Sequence, residues 1–226
     1  MKIGGFQKLS LLNYPDKTAC TIYTSGCNFN CPWCHNSGLA QGKEAEIDPD
    51  SILNFLRQRK GLLDGVCISG GEPLIHEDIE LFLRHIKQIG YFIKLDTNGS
   101  NPYLLEKLIR SRLVDYVAMD IKNTWGKYAK TTGSTSAPVQ KIRDSVGLLK
   151  DGMVSYEFRT TVISEYHTAA DIEEMAVHIR GASVWYLQPF RDAPEVSQKG
   201  LHAPTPNEME EYGSIGNRFV MTMIRQ

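Results

Sequence analysis

The stretch Cys27-Asn-Phe-Asn-Cys31-Pro-Trp-Cys34-His35 decides how the rest of the chain is interpreted. It follows the apolar segment 18–24 (TACTIYT), whose β-branched and aromatic residues predict a strand. Three thiolates at this spacing can each bind one iron of a cubane iron–sulfur cluster. A cube normally has four ligands, and no fourth cysteine lies nearby. We therefore expect one iron to remain open, and an open metal position indicates catalysis rather than a structural role.

Three other interpretations of this loop fit its residues less well. A structural zinc site would need His35, which directly follows Cys34 and is badly placed to complete the same tetrahedron; zinc cysteines also usually come as two separated pairs. A disulfide with one spare thiol suits secreted proteins, and no signal peptide opens the chain. A plain electron carrier normally fills the fourth position with cysteine. The remaining cysteines, Cys20 and Cys67, lie in apolar runs and are expected to be buried.

The composition of the 226-residue chain favours neither a nucleic acid nor a membrane as partner. Its 25 basic and 26 acidic residues leave a formal net charge of −1, so no general attraction to either surface is expected. No apolar run approaches the roughly 18 residues that a membrane span needs. Because no domain break is visible, we expect one domain over residues 1–226. Because neither a signal peptide nor a membrane-spanning run is recognised, we expect a cytoplasmic location.

Strand-like and helix-like segments alternate along the chain. Strands are predicted at 18–24, 65–69, 91–95, 114–121, 154–162 and 183–190. Helices are predicted at 49–60, 79–89, 102–109, 139–149, 168–179 and from 206 to about 223, with 124–138 as a long surface loop. Six β–α units imply parallel strands with right-handed crossovers. Six strands are too few for a closed eight-stranded barrel, so we expect an α/β fold, a partial open (β/α)6 barrel whose gap suits a large substrate.

Small polar motifs follow the first four predicted strands. After the cysteine loop come Gly70-Gly71-Glu72-Pro73, Asp96-Thr97-Asn98-Gly99 and Met119-Asp120-Ile121-Lys122. Arg159 lies within the fifth predicted strand, and Gln188 lies toward the end of the sixth. Barrel active sites are built at the carboxyl ends of the strands, which predicts that these motifs converge. For GGEP alone, close approach of a ligand to the glycine backbone and a simple tight turn explain the sequence equally well.

The cysteine spacing C-x3-C-x2-C followed by GGEP resembles the radical S-adenosylmethionine (SAM) superfamily. The resemblance implies a radical SAM core in which Cys27, Cys31 and Cys34 hold a 4Fe–4S cluster. SAM would bind the open iron through the amino and carboxylate groups of its methionine part. One electron from the reduced cluster would then break the sulfonium bond and give a 5′-deoxyadenosyl radical. The GGEP motif would contact the SAM amino group.

The DTNG and MDIK motifs and the Cys34-His35-Asn36 end of the cysteine loop resemble the glycyl-radical-enzyme activating enzymes. The resemblance implies that the acidic residues organise the SAM site, in some members around a bound monovalent cation. The residues carried over to the SAM site are Asp96, Thr97, Asn98, Asp120 and Lys122. Lys122 would lie near the SAM carboxylate, and Trp33 and His35 would flank the cluster and the adenine. Arg159 and Gln188 would contact SAM or the partner's glycine loop, or only make strand-end hydrogen bonds.

Segments across nearly the whole chain are most similar to the activating proteins of anaerobic ribonucleoside-triphosphate reductase. These segments are IGGFQKLS (3–10), NYPDK (13–17), YEFRTTV (156–162) and LQPF (187–190). One departure is Asn13, where relatives often have aspartate. The resemblance implies a glycyl radical enzyme as protein substrate. Since only Cys20 and Cys67 are spare, it also implies flavodoxin or ferredoxin as an outside electron donor.

Three alternatives remain open. The chain could activate another glycyl radical enzyme, such as pyruvate formate-lyase, because the docking surface decides that specificity. It could be a small-molecule enzyme of the same superfamily, such as a 7-carboxy-7-deazaguanine synthase, which would need a pocket closed around a pterin-like substrate. A non-enzymatic iron–sulfur redox sensor would not need GGEP or the acidic residues, and would not cleave SAM.

Overall fold

The computed structural model describes residues 1–135 and 137–225, which leaves Ser136 and Gln226 outside the description. Within these residues eight strands form one sheet, and their order in the sheet is their order in the chain. The strands are β1 (Ile3–Ser10), β2 (Ala19–Thr24), β3 (Gly65–Gly70), β4 (Phe92–Thr97), β5 (Tyr116–Asp120), β6 (Ser155–Val162), β7 (Trp185–Pro189) and β8 (Thr222–Ile224). β1 pairs antiparallel with β2, and every later pair is parallel.

The helices connect successive parallel strands. They are α1 (Ser37–Ala40), α2 (Pro49–Gln58), α3 (Ile79–Ile89), α4 (Pro102–Arg110), α5 (Tyr128–Thr132), α6 (Val139–Lys150), α7 (Ala169–His178) and α8 (Pro206–Gly216), with a 3₁₀ helix at Pro73–Ile75. Local sequence signals set several ends. The Asp48 carboxylate accepts hydrogen bonds from the first turn of α2, Thr168 and Asp171 form a capping box on α7, and Gly90 ends α3 in the left-handed region at φ 106°.

The predicted partial (β/α)6 barrel is confirmed by the six parallel strands β2–β7. Among the described residues no pairing joins β8 back to β1, so the sheet is open. Strand side chains and the apolar faces of the helices form one main core, in which Ile22, Ile68, Leu95 and Val117 are completely buried. Cys20 and Cys67 are also completely buried, as predicted. No described helix combines the length and apolar character needed to cross a bilayer.

The end of the chain differs from the sequence prediction. A helical face continuing through Phe219, Val220 and Met223 is expected, but α8 ends at Gly216, and Met223 lies in β8. The backbone N–H groups of Phe219 and Val220 both donate to the Gly216 carbonyl, which closes a tight turn. The Asn217 side chain then accepts from the Thr222 N–H and donates to the Thr222 carbonyl, at 2.9 and 3.1 Å. β1 and β8 are the two strands that the sequence analysis did not predict.

The segment 124–138 also differs from the prediction of a long surface loop. It contains α5, in which Tyr128, Thr131 and Thr132 are completely buried. The threonine hydroxyls can be buried because they donate to helix carbonyls, at 3.0 Å to Lys127 O and 2.8 Å to Tyr128 O. Ser136, also within the predicted loop, lies outside the described residues.

Candidate active site

The three cysteines of the loop after β2 are free and half-buried on one wall of a cavity of about 320 Å3. The loop is held on α5, because Asn30 N donates to Thr132 O at 3.0 Å and the Trp33 indole N–H donates to Thr131 O at 3.2 Å. The segment after β7 holds its other side, where Gln198 N donates to Pro32 O at 2.9 Å. The cysteine loop therefore depends on two segments that are distant in sequence.

Burial is the largest influence on the pKa values of the Cys27 and Cys31 thiols. It raises the pKa of Cys27 to about 12, although the Phe29 N–H donates to its sulfur at 3.4 Å. Burial also raises the pKa of Cys31, against the opposing effect of the nearby Lys122. Metal-bound cysteine is a thiolate. Iron binding at these sulfurs must therefore release their protons.

The GGEP motif forms the floor of the cavity next to the cysteine loop. Gly70 ends β3 with φ 113°, a left-handed conformation that favours glycine. Gly71 N donates to Thr24 O and Glu72 N donates to Gly26 O, both at 2.9 Å, so the turn is bound to the backbone that leads into Cys27. Pro73 is buried, begins the 3₁₀ helix and is not among the residues that line the cavity.

The Glu72 carboxylate lies at the cavity wall but is bound to the protein's own backbone and side chains. It is 1% exposed and accepts hydrogen bonds from Leu74 N at 3.1 Å, Thr97 Oγ1 at 2.7 Å and Asn98 N at 2.7 Å. Burial raises its pKa to about 7 despite these donors. Glu72 therefore joins the turn after β3 to the turn after β4.

The opposite wall carries a charged network from β4, β5 and β6. Asp120 and Arg159 are register partners in adjacent strands, and the guanidinium Nε lies 3.0 Å from Asp120 Oδ1. The Arg159 Nη1 lies 3.4 Å from Asp96 Oδ2. Lys122 Nζ lies 3.3 Å from Asp120 Oδ2 and 5.0 Å from the centroid of the Trp33 ring. Burial lowers the pKa of Lys122, but the attraction of Asp120 together with that of the neighbouring cysteine and tyrosine side chains outweighs this effect and raises the pKa overall.

The remaining predicted residues lie around the same cavity. Asn98 Nδ2 donates to Asn28 Oδ1 at 2.9 Å, which connects the DTNG turn to the cysteine loop. The His35 ring stacks on Phe190 with centroids 5.5 Å apart, and its Nε2 contacts the Arg191 carbonyl. Gln188 lines the cavity near the carboxyl end of β7. Apart from Pro73, every predicted site residue lines this cavity.

Several cavity residues were missed by the sequence analysis. They are Phe29, Asn36, Ala40, Ser69 and Thr161. Lys94 was also missed, although it contacts Asp96 and is 3% exposed. Lys94 and Asp96 are two residues apart in β4, so their side chains share one face. The lysine within the otherwise apolar strand segment 91–95 (YFIKL) was the sequence signal that could have identified it.

The cavity suits a cluster with a bound small molecule. Three free thiols face backbone that has no Cβ at Gly70 and Gly71, and the volume lies in the range of ligand pockets. Among residues 1–135 and 137–225 no group of three His, Cys, Asp or Glu side chains is arranged around a single ion. A four-iron cube does not require such an arrangement, because each thiolate binds a different iron.

Comparisons with known proteins agree with this geometry. The sequence profile of the radical SAM superfamily matches residues 21–179. A candidate glycyl-radical enzyme activating enzyme of Methanocaldococcus jannaschii is 32% identical, over 98% of this chain and 94% of that protein. A candidate GTP 3′,8-cyclase of Pyrobaculum aerophilum is 27% identical, over 84% of this chain and 61% of that protein.

The fold has a close counterpart among solved structures. A radical SAM methyltransferase from Sphaerobacter thermophilus aligns with a TM-score of 0.73 at 17% identity, over 96% of this chain and 68% of that one. At this identity the likeness concerns the fold alone. With the superfamily profile and the relative that matches nearly end to end, the chain belongs to the radical SAM superfamily of enzymes, which use a 4Fe–4S cluster and SAM.

Proposed function

We propose that this enzyme generates a glycyl radical on a partner enzyme, and that this partner is the anaerobic ribonucleoside-triphosphate reductase. The observation that carries the proposal is the meeting of the three cysteines, the GGEP floor and the charged network at one cavity. The near end-to-end similarity to a candidate glycyl-radical enzyme activating enzyme supports the reaction class. The choice of the reductase rests on the resemblance of segments 3–10, 13–17, 156–162 and 187–190.

The residues have separate roles in this proposal. Cys27, Cys31 and Cys34 would hold the cluster, which with SAM supplies a carbon radical able to take a hydrogen atom from glycine. Gly70 and Gly71 would admit the SAM amino group to the backbone, and the ammonium of Lys122 would lie near the SAM carboxylate. Precise placement of reacting groups supplies much of the rate gain in such enzymes. The walls of the cavity keep water away from the reactive carbon.

The remaining SAM-site residues would act through the charged network and the aromatic wall. Asp96, Thr97, Asn98 and Asp120 keep the turns after β4 and β5 in place. Trp33 and His35 would lie beside the cluster and the adenine. Arg159 and Gln188 complete the wall near the ends of β6 and β7.

We further propose that the electron comes from outside the chain, from a flavodoxin or ferredoxin. The full sequence has five cysteines, and the two outside the cluster loop are completely buried in strands β2 and β3. A second cluster needs several accessible thiolates. The chain therefore holds no cysteines for an internal electron relay.

A small-molecule enzyme of the superfamily is the main rival, and the similarity to a candidate GTP 3′,8-cyclase is the observation in its favour. That similarity covers 61% of the cyclase, whereas the activating-enzyme match covers 94% of its protein. The open sheet between β1 and β8 also suits a substrate as large as a protein loop. We therefore favour the protein substrate.

The test begins with anaerobic reconstitution with iron and sulfide, reduction with dithionite, addition of SAM and quantification of 5′-deoxyadenosine. Cys31→Ala is expected to abolish the product. Cys20→Ala is the matched control, since it removes a completely buried cysteine away from the cavity and should retain cluster and activity. A fully loaded cluster that yields no deoxyadenosine would favour the redox sensor instead.

The partner is identified in a second step with purified anaerobic ribonucleoside-triphosphate reductase and, separately, pyruvate formate-lyase. We expect a glycyl-radical doublet in the electron paramagnetic resonance spectrum with the reductase. A doublet only with the lyase would change the partner. Deoxyadenosine without a radical on either protein would support the small-molecule alternative.

A further inference from the structure

Each oxygen of the Asp96 and Asp120 carboxylates already has a partner within the protein. Asp96 Oδ1 lies 2.5 Å from Lys94 Nζ, and Asp96 Oδ2 accepts from Ser69 Oγ at 2.9 Å and lies 3.4 Å from Arg159. Asp120 Oδ1 faces two guanidinium nitrogens of Arg159, both at 3.0 Å, and Asp120 Oδ2 faces Lys122 at 3.3 Å. Every carboxylate oxygen of the pair thus has a cationic partner.

The network also carries more positive than negative charge. Two carboxylates meet three cations, Lys94, Lys122 and Arg159, which leaves one net positive charge. Although burial raises the pKa of Asp96, Arg159 and Lys94 lower it to about 2, so the carboxylate is ionised at neutral pH. Arg159 and Lys122 likewise lower the pKa of Asp120 against the effect of burial. A small cation entering here would be repelled by the net positive charge, and the carboxylate oxygens that it could bind already face protein cations.

The position of Arg159 follows from strand order. Its guanidinium projects from β6 across β5 to β4, because Asp120 is its neighbour in register and Asp96 lies one strand further on. A planar guanidinium has several donors in a fixed fork and can bridge two carboxylates at once. A bound Na⁺ or K⁺ could offset the repulsion between the Asp96 and Asp120 carboxylates in place of the guanidinium.

We propose that the Arg159 guanidinium holds Asp96 and Asp120 together where some glycyl-radical-enzyme activating enzymes bind a monovalent cation, so this chain needs no such ion. The monovalent cation implied by the family resemblance thus does not fit these residues. Arg159 acts as a positioning residue through the two acids. This conclusion concerns the carboxylate pair alone and does not depend on which partner is activated.

The test needs neither cluster nor SAM. Thermal unfolding of the chain is followed in KCl, NaCl and tetramethylammonium chloride at equal ionic strength, since tetramethylammonium is too large to bind between two carboxylates. The wild type should have the same melting midpoint in all three salts. In Arg159→Ala the two acids lose their bridge, and K⁺ or Na⁺ should raise the midpoint saturably, on the order of 3 °C above tetramethylammonium.

Arg225→Ala is the matched control. Arg225 makes a bidentate pair with Glu157, a single buried carboxylate, at 2.9 and 3.0 Å. Its loss should lower the midpoint equally in every salt. A saturable stabilisation of the wild type by K⁺ or Na⁺ would overturn the proposal, and this measurement stands even if Arg159→Ala does not fold. A folded Arg159→Ala variant whose melting midpoint is the same in all three salts would also overturn the proposal.

Discussion

Glu72 connects neighbouring turns of the site, a structural role that the GGEP motif alone does not predict. Its carboxylate accepts three hydrogen bonds that connect the turns after β3 and β4, and its own N–H donates to Gly26. Gly26 directly precedes the first cluster cysteine. The Glu72 backbone therefore supports the residue before the cysteine loop, and the Glu72 carboxylate holds the turn after β4 against the turn after β3.

The raised pKa of Glu72 predicts a pH dependence of stability. Between the ordinary glutamate pKa of 4.5 and the raised pKa of about 7, the folded chain retains a proton that the unfolded chain has lost. The free energy of unfolding should therefore fall as pH rises through this window, by up to about 1.4 kcal/mol per pH unit. Urea unfolding of wild type and Glu72→Gln across pH 4.5–7.5 checks this, because the difference between them isolates Glu72 from the histidines. A pH-independent difference would contradict it.

Gly71 allows the closest backbone approach in the site. A Cβ at this position would overlap the carbonyl oxygen of Gly26. Backbone cannot move aside as a flexible side chain does, so Gly71→Ala should cost about 1–3 kcal/mol of stability. It should also lower the iron bound per chain after reconstitution, because the displaced residue adjoins Cys27.

Gly147→Ala is the control for Gly71→Ala. Gly147 is exposed within α6, and nothing lies within 4 Å of a Cβ built there. Alanine should stabilise this helix by up to about 1 kcal/mol through its higher propensity. Equal iron content in the two variants would show that the contact between Gly71 and Gly26 does not matter for the cluster.

At the scale of elements, α8 and β8 depend on two glycines. Gly216 ends α8 against the Thr222 side chain, whose Cγ2 and Cβ would lie 2.9 and 3.0 Å from an added Cβ. Gly213, one turn earlier, would place its Cβ at 3.5 Å from Ile224, which is ordinary contact. The helix thus packs closely on β8 at its end and less closely before it.

We therefore expect alanine substitutions of the two glycines in α8 to have opposite effects on stability. Gly216→Ala should destabilise the chain by about 1–3 kcal/mol, since Thr222 is held by Asn217 and cannot easily shift. Gly213→Ala should be neutral or stabilise by up to about 1 kcal/mol. Denaturant unfolding of both variants measures this directly. If Gly213→Ala proves the more damaging, the packing described for β8 is wrong.

At the scale of the whole molecule, the cluster cysteines lie at the margin of the core. The main cluster of buried side chains extends over the strands and most of the helices and includes Phe29 of the cysteine loop, but Cys27 and Cys31 are only packed against it. A chain of this size buries roughly 70% of its unfolded surface. Its fold should therefore not require the iron–sulfur cluster.

This expectation is checked with Cys27, Cys31 and Cys34 all replaced by serine. The variant should bind no cluster but keep its near-ultraviolet circular dichroism. Its melting midpoint should lie within about 5 °C of the cluster-free wild type, because little core surface is changed. A molten or unfolded variant would mean that the loop stabilises the fold.

The core of the fold was predictable because its signals are local. β-Branched runs predicted β2–β7. The helix starts predicted at 168 and 206 are confirmed, and in the structure Thr168 and Thr205 form capping boxes there. α5 and β8 were missed for the opposite reason. α5 is defined by burial beneath the cysteine loop, and β8 by a turn at Gly216 and pairing with β7, all of which are contacts between distant residues.

The sequence by itself determined which chemistry this protein can hold. Cysteine spacing and the order of the polar motifs are properties of the chain, and they indicate the cluster and SAM without coordinates. Only the tertiary structure decided how those groups are satisfied. Parallel pairing of β3–β6 brings the Arg159 guanidinium to Asp96 and Asp120 and the Ser69 hydroxyl to Asp96. It also places the Glu72 carboxylate against the turn after β4. Charge pairing depends on distances across strands, and no local pattern of residues encodes those distances.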